Sequence, residues 1–271
     1  MQLLLGFLLA ILIATLAYRV HSLNKSGAFA AALTGTVIFG IGGWQWAVLL
    51  LAFFITSSAL SRAFRKRKKG LDEKFSKGHE RDAGQVFGNG GLATAFAALH
   101  FFFPHELWPW LCFSAALAAV NADTWATELG VLNPNPPRMI TNLTKVVEKG
   151  TSGGISLIGT LAALAGSALI GILAASLYLT PDPVSTFMIV TLAGLAGALF
   201  DSFLGATVQA MYFCPADNKE TEKHPVHTCG TPTVHLRGWK WLDNDWVNFA
   251  CSACGAFGVI TYLLTKGFFL S

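Results

Sequence analysis

Apolar segments about as long as a membrane helix recur along the chain and are separated by short polar stretches. They cover residues 2–18, 28–41, 44–60, 88–103, 107–130, 154–179, 184–212 and 246–268. A helix needs about 20 apolar residues to cross a bilayer. The pattern therefore predicts an all-α polytopic membrane protein with about eight transmembrane helices, in a single membrane domain covering residues 1–271. The second segment is short, so we expect it to form a tight helical hairpin with the third, turning at Gly42 and Gly43, or one long bent element.

The composition agrees with this pattern. Of the 271 residues, 53% are hydrophobic and 13% are charged, and the mean hydropathy is +0.53. Such values are typical of polytopic membrane proteins rather than soluble domains. The first apolar segment has no charged region before it and no small-residue cleavage site, so we interpret it as a retained helix rather than a cleaved signal.

The distribution of Lys and Arg predicts the orientation. With eight spans, the polar loops 19–27, 61–87, 131–153 and 213–245 fall on one side and carry nearly all the Lys and Arg, including the run 65–69. Lys266 is the one exception. The positive-inside rule then places these loops in the cytoplasm and both termini outside, in a bacterial inner membrane or its equivalent. The net charge of +4 follows from these loops, and no recognition motif accompanies it, so nucleic acid is not an expected partner.

Three carboxylates lie at the ends of apolar segments, namely Asp123, Glu128 and Asp201. A charged residue inside a membrane helix costs about 2.5–3.5 kcal/mol on insertion scales, so such residues usually face a polar cavity and have a function there. On a regular helix Asp123 and Glu128 are about 140° apart. Sharing one metal ion would therefore need a neighbouring helix or a local break.

A cationic, glycine-rich stretch precedes the segment 154–179. Its residues are Arg138, Lys145, Lys149, Gly150, Thr151, Ser152, Gly153 and Gly154. Glycines and hydroxyls before a helix N-terminus favour phosphate, because exposed N–H groups and the helix dipole both attract anions. The stretch is not a P-loop, since the Lys precedes the glycines and no strand is predicted before it.

Further polar residues at the same ends of the spans are candidates for the substrate site. They are Asn89, Asn121, Ser202, Gln209, Asp245 and Asn248. Asp82 and Asp243 each precede a predicted helix, where such a residue commonly serves as an N-cap.

Cysteine and histidine cluster near the last span. Cys214, His224, His227, Cys229 and His235 lie in one polar loop, and Cys251 and Cys254 follow it in the last span. These side chains suit zinc, although their spacings match no standard zinc finger. Disulfides are not expected, because the loop is assigned to the reducing cytoplasm.

Carboxylates next to a phosphate-binding stretch suit Mg²⁺, which proteins commonly hold with one or two carboxylates and substrate phosphates. The residues therefore favour phosphoryl or nucleotidyl transfer to a lipid at the cytoplasmic interface. The alternative hypothesis for the function is a lipid or ion transporter that uses the carboxylates. A third hypothesis is a structural membrane protein whose acids are paired. The acids lie near the cytoplasmic ends of the spans rather than at the midplane, which favours an enzyme.

The motifs also resemble those of the DUF92, or transmembrane protein 19, family. The resemblance rests on residues 81–90, 123–130, 137–140, 150–156, 201–206 and 242–248, which together cover nearly the whole chain in order. That family includes phytyl-phosphate kinases, which convert an isoprenyl monophosphate to its diphosphate with CTP as the usual donor.

The resemblance implies roles for the residues named above. Asp123, Glu128 and Asp201 would hold Mg²⁺ or orient the acceptor phosphate, and Arg138, Lys145, Lys149 and the turn 150–154 would bind the nucleotide phosphates. The implied partners are an isoprenyl phosphate such as phytyl or geranylgeranyl phosphate, a nucleoside triphosphate and membrane lipid. The sequence leaves open the prenyl chain length, the choice of CTP or ATP, and the oligomeric state.

Overall fold

The computed structural model describes residues 1–64 and 80–266. The basic run 65–69 therefore lies outside the described residues. Eight long helices form the bulk of the described chain: α1 (Gln2–Arg19), α2 (Lys25–Val37), α3 (Trp44–Phe64), α4 (Ala83–His100), α5 (Trp108–Gly130), α6 (Leu157–Leu177), α7 (Pro183–Thr207) and α8 (Asn244–Thr265).

Six helical segments in the described residues are long and apolar enough to cross a membrane. They are α1, α2 with the π-helical turn that follows it, α3, α6, α7 and α8. Helices α4 and α5 fall outside this set. Helix α1 leaves large side chains such as Leu3, Leu4 and Phe7 exposed, which is the expected surface of a helix that faces lipid. The protein is therefore a mostly helical polytopic membrane protein.

The chain turns back between α2 and α3, as the end of α3 contacts the residues before α2, but the two helices do not pack closely on each other as a tight hairpin would. The chain leaves α2 through a π-helical turn, Ile38–Gly42, and reverses at Gly43, whose φ of 89° is a conformation that favours glycine. Gly40 also lets α1 approach closely, because a Cβ built on Gly6 would lie 2.7 Å from the Gly40 nitrogen. Small residues therefore pack this end of the molecule.

Helix α5 is the centre of the bundle and contacts α3, α4, α6, α7 and α8. Every residue from Pro109 to Ala122 is buried. Glycines on its neighbours allow the close packing: a Cβ on Gly197 of α7 would lie 2.5 Å from the Ala119 Cβ, and one on Gly255 of α8 would lie 2.7 Å from the Ala115 oxygen. This is the small-residue packing typical of membrane helices.

Two small antiparallel sheets lie in the loops. The first has the order β2–β1–β3, with β1 (Arg138–Met139), β2 (Asn142–Val146) and β3 (Gly154–Ile155), and the second has the order β5–β4–β6, with β4 (Met211–Cys214), β5 (Lys219–Thr221) and β6 (Val234–Arg237). The prediction of loops without strands, and of no strand before the glycine turn, was wrong. Strands of two to five residues are too short to show an alternating pattern.

The loops predicted to share one side do meet at one end of the bundle. Arg62 donates to the Val20 carbonyl and to Ser22, and Leu23 forms a bridge with Arg81. Residues from the loops 19–27, 61–87, 131–153 and 213–245 line one common cavity. This clustering agrees with the predicted division of the loops between two sides.

Candidate functional site

A cavity of about 830 Å³ opens at this end of the bundle. It lies among the C-terminal ends of α3, α5 and α7 and the N-terminal ends of α4, α6 and α8. Among the described residues, four carboxylates and four Lys or Arg side chains line it: Asp123, Glu128, Asp201, Glu222, Arg62, Arg81, Lys149 and Lys223. The cavity therefore gathers opposite charges from distant parts of the chain.

We define the acidic pole of the cavity as Asp123, Asp201 and Glu222. Asp123 comes from α5 and Asp201 from α7, and both Asp123 and Glu222 act on Asp201 as like-charged neighbours. The Oδ2 atom of Asp201 is buried and has no hydrogen-bond partner in the described part of the chain. Carboxylates that face one another repel, and a divalent cation would offset that repulsion. The acidic pole therefore supplies the oxygen ligand type that suits Mg²⁺, although these three side chains are not among the groups of described residues whose ligand atoms all lie within 4.8 Å of one another.

Side-chain hydrogen bonds fix one wall of the acidic pole. The Gln209 amide donates to Glu222 Oε1 at 3.1 Å, and its oxygen accepts from Ser152 at 2.6 Å. Gln209 is almost fully buried and lies just beyond α7. The bonds connect the glycine turn to the segment after β5 and so hold Glu222 beside Asp201.

We define the cationic pole as Arg81 with Arg62. The Arg81 guanidinium donates to Ser58 at 3.0 Å and lies 5.8 Å and 5.6 Å from the ring centroids of Phe53 and Phe54. Burial lowers the pKa of Arg81 to about 10, and the nearby Glu128 opposes that shift. Arg81 therefore remains a cation at neutral pH.

Glu128 lies beside the cationic pole. Its Oε1 accepts a hydrogen bond from Ser61 at 2.7 Å, and it is an electrostatic neighbour of Arg81. The separation of Asp123 and Glu128 expected from helical geometry thus places the two carboxylates in different surroundings. Glu128 stabilises the charge of Arg81.

A second, apolar cavity of about 80 Å³ joins the polar one. Its walls are mainly apolar residues of α1, α2, α3 and α4, such as Ala10, Ala14 and Leu50. Arg81 and Asn89 line both cavities, together with Gln85. Arg81 therefore lies at the boundary between the polar and the apolar cavity.

The glycine turn 150–154 lines the polar cavity beside the end of α7. Gly153 has a φ of 83°, and a Cβ there would lie 2.5 Å from the Ala206 nitrogen, so the turn and α7 can pack this closely only with glycine. Lys149 donates to the carbonyls of Val131 and Asn133 at 3.2 Å and 2.6 Å. This ammonium group also satisfies carbonyls beyond the end of α5.

Most of the residues selected from the sequence line this cavity. They are Asn89, Asp123, Glu128, Lys149, Gly150, Thr151, Ser152, Gly153, Gly154, Asp201, Ser202, Gln209 and Asn248.

Four selected residues lie elsewhere. Arg138 donates to the Leu143 carbonyl at 2.7 Å within its own sheet, and Lys145 is exposed on β2. Asn121 is fully buried and donates to the Gly166 carbonyl at 2.8 Å, which joins α5 to α6. Asp245 lies at the start of α8, where its backbone packs against Gly88 of α4. These four residues therefore do not belong to the cavity lining.

Sequence reasoning missed Arg62, Arg81, Glu222, Lys223 and Asn244 as lining residues. Arg81 did carry a signal, because it directly precedes Asp82, which the structure shows as the N-cap of α4 in a capping box with Gln85. The positive end of the helix dipole repels a cation just outside a helix N-terminus. A cation at that position is therefore expected to have a partner or a function. Asp243 is likewise confirmed as the N-cap of α8.

The fold and cavity define an integral membrane protein whose polar, acid-containing site lies at one end of a helix bundle. The sequence profile described as "Integral membrane protein DUF92" matches residues 8–256. The chain belongs to this DUF92 family of integral membrane proteins.

Several curated proteins are similar to the chain over most of its length. Protein PGR of Arabidopsis thaliana is 33% identical over 92% of this chain and 91% of its own, and an uncharacterized membrane protein of Methanocaldococcus jannaschii is 32% identical over 76% and 82%. Protein VTE6, chloroplastic, of Arabidopsis thaliana is 27% identical over 93% of this chain and 67% of its own. No solved structure matches significantly.

Proposed function

We propose that the protein is a membrane kinase that transfers the γ-phosphate of a nucleoside triphosphate, CTP being the expected donor, to an isoprenyl monophosphate. The observation that carries this proposal is the polar cavity, whose lining contains both an acidic pole and a cationic pole and shares Arg81 with an apolar cavity. A lipid phosphate and a metal-bound nucleotide need these two environments side by side. The resemblance to a family that includes phytyl-phosphate kinases supports the same activity.

The cationic pole suits the acceptor lipid. Arg81 would bind the monophosphate through its guanidinium, since planar N–H groups match phosphate oxygens. Asn89 lines both cavities and would contact the same headgroup. The apolar cavity admits only the first part of a prenyl chain, and the remainder would extend between α1, α2 and α4 into lipid.

The acidic pole suits the metal-bound nucleotide. Asp123 and Asp201 would hold Mg²⁺, with Glu222 beside Asp201, and the ion when bound would neutralise charge on the transferring phosphate. Lys149, Lys223 and the glycine turn would bind the remaining nucleotide phosphates. Glu128 would act on the other side of the cavity by keeping Arg81 charged and in place.

The transfer itself needs little further chemistry from the protein. An oxygen of the lipid monophosphate forms the new bond to the γ-phosphorus, and the bond between that phosphorus and the β–γ bridging oxygen breaks. The nucleoside diphosphate leaves with the electron pair. The acceptor oxygen is already anionic near neutral pH, so no side chain has to remove a proton. Positioning and charge neutralisation account for the catalysis.

The same proposal places the protein in the membrane. All eight helices would cross it, with the cavity on the cytoplasmic side, where nucleotides are found, and both termini outside. The supporting observations are that the loops with most of the Lys and Arg meet at the cavity end and that α4 and α5 are enclosed by the more apolar helices.

A direct assay tests the activity. Purified protein in lipid nanodiscs receives Mg²⁺, phytyl or geranylgeranyl monophosphate, and CTP or ATP radiolabelled in the γ-phosphate. We expect a labelled prenyl diphosphate, its loss in Asp123→Asn, and normal activity in Lys145→Gln, which alters a charge outside the cavity. If folded protein forms no labelled diphosphate with either donor and either lipid, the proposed activity is wrong.

A further inference from the structure

A cluster of metal-ligand side chains lies in the second sheet, apart from the lining of the polar cavity. Cys214, Asp217, His227 and Cys229 place one ligand atom each within 4.8 Å of all the others. Cys214 ends β4, Asp217 follows it in the turn, and the other two belong to the bend between β5 and β6. Two separate segments thus converge on one point.

The distances match a tetrahedral zinc site. The two sulfurs are 3.5 Å apart, and His227 Nδ1 lies 3.4 Å from the Cys229 sulfur and 2.9 Å from an oxygen of Asp217. Bonds of about 2.3 Å to sulfur and about 2.0–2.1 Å to nitrogen in a tetrahedron separate two sulfurs by about 3.8 Å and a sulfur from a nitrogen by about 3.6 Å. Movements of a few tenths of an ångström would complete the geometry.

Hydrogen bonds hold the sulfur ligands in place. The backbone N–H groups of Ala216 and Asp217 donate to the Cys214 sulfur, and Thr231 donates to the Cys229 sulfur. The His227 amide also donates to the Thr231 carbonyl at 2.9 Å, which fixes the bend that carries both later ligands. Such outer contacts orient metal ligands and stabilise thiolate charge.

The remaining cysteines and histidines of this region do not join the cluster. His224 stacks on Tyr212 with ring centroids 4.3 Å apart, and His235 meets the same ring edge-on at 5.6 Å. Cys251 and Cys254 lie within α8. The ligand pattern is therefore Cys-x-x-Asp followed by His-x-Cys, a spacing that differs from the usual fingers and explains why the sequence alone did not define it.

We propose that Cys214, Asp217, His227 and Cys229 bind a structural Zn²⁺ ion. Two thiolates, an imidazole and a carboxylate match the ligand preferences of zinc rather than those of Mg²⁺. All four positions are filled by protein, so the ion has no open site for catalysis. Its role is to join β4 to the bend before β6 and thereby to hold the intervening segment, which carries Glu222 and Lys223 to the cavity wall.

Metal analysis tests this proposal independently of any activity. The full-length protein is expressed without a retained histidine tag, purified without chelators, and analysed by inductively coupled plasma mass spectrometry. We expect about one zinc ion per chain, falling below about 0.2 in Cys214→Ser and in His227→Ala. Cys254→Ser and His235→Ala are matched controls from outside the cluster and should retain the wild-type content.

Two further measurements use the wild-type protein and therefore test the zinc site even if a variant folds poorly. Cobalt-substituted wild-type protein should show thiolate-to-cobalt charge-transfer absorption, which requires sulfur ligands. Mercurial modification of the wild-type thiols should release the zinc, as followed with a colorimetric chelator. Zinc below about 0.2 per chain in folded wild-type protein would overturn the proposal, as would full retention of zinc in Cys214→Ser. A disulfide between Cys214 and Cys229 in protein kept under reducing conditions would overturn it as well.

Discussion

Replacing Arg81 by glutamine tests the assignment of the two poles most directly. The change keeps a shorter polar side chain but removes the cation that lines both the polar and the apolar cavity. It also leaves Glu128 without its positive neighbour. We therefore expect two separable consequences, one for lipid binding and one for stability.

The loss of lipid binding can be estimated from the contact proposed for Arg81. A hydrogen bond to a charged group contributes about 1.5–3 kcal/mol. That range corresponds to a roughly 10- to 150-fold increase in KM for the prenyl monophosphate. The nucleotide should bind at the opposite pole, so its KM should change less than about threefold.

The stability effect comes from losing the favourable charge interaction between Arg81 and Glu128. Breaking a buried ion pair costs about 3–5 kcal/mol, and Arg81 and Glu128 interact through charge at the lining of a polar cavity, so the cost should fall below that range. The double variant Arg81→Gln with Glu128→Gln removes both charges and should regain most of the thermal stability. Its KM for the lipid should stay as high as in the single variant.

Steady-state kinetics in nanodiscs and thermal unfolding distinguish these outcomes. Arg81→Gln, the double variant and Lys145→Gln are compared at saturating concentration of the second substrate. The reasoning would be refuted if Arg81→Gln raised the KM of the nucleotide instead of the lipid. Recovery of the lipid KM in the double variant would also refute it, because the defect would then be one of folding.

Three further predictions concern the bundle around the cavity. Asp201→Asn should reduce kcat at least 100-fold and raise the Mg²⁺ concentration needed for half-maximal activity, as shown by a Mg²⁺ titration; an unchanged titration would remove Asp201 from the metal site. Asn121→Ala should lower stability by about 0.6–1.7 kcal/mol through the lost bond to Gly166 and leave both KM values unchanged, as measured by unfolding and kinetics. Gly197→Leu should prevent α7 from packing on Ala119 of α5, so the protein should lose its monodisperse peak in size-exclusion chromatography, whereas Leu192→Ile on the exposed face of α7 should retain it.

The helices could be predicted because each one is a long apolar run within one continuous part of the sequence. Apolar runs predicted eight helical segments, which the structure shows, and the glycines at residues 42 and 43 predicted the turn between the second and third of them. The acids could be predicted as site residues for a similar reason. A carboxylate at the end of an apolar run stands out in the sequence because the membrane makes it costly.

The sheets and the cationic pole could not be predicted in the same way. A strand of two residues such as Arg138–Met139 is stabilised by partners that are distant in sequence, and it has no pattern of its own. Arg138 and Lys145 looked like phosphate ligands because they precede a glycine turn in sequence. Pairing in the sheet instead directs Arg138 to the Leu143 carbonyl and leaves Lys145 exposed. Arg81, by contrast, reaches the cavity through contacts with α3 that the sequence does not show.

The balance of charge in the cavity indicates how it would select its ligands. Four carboxylates and four Lys or Arg side chains line it in the described chain, so their formal charges cancel. The described lining, taken by itself, attracts anions only weakly from a distance, so its selectivity comes from the arrangement of charge at short range. This arrangement is the division of the cavity lining into a cationic pole with Arg81 and an acidic pole with Asp201. On the proposed function, a lipid phosphate beside the apolar cavity would meet a cation, whereas a nucleotide would meet the carboxylates favourably only together with a divalent metal ion. The order of the poles therefore explains how two polyanionic substrates could occupy one chamber without exchanging places.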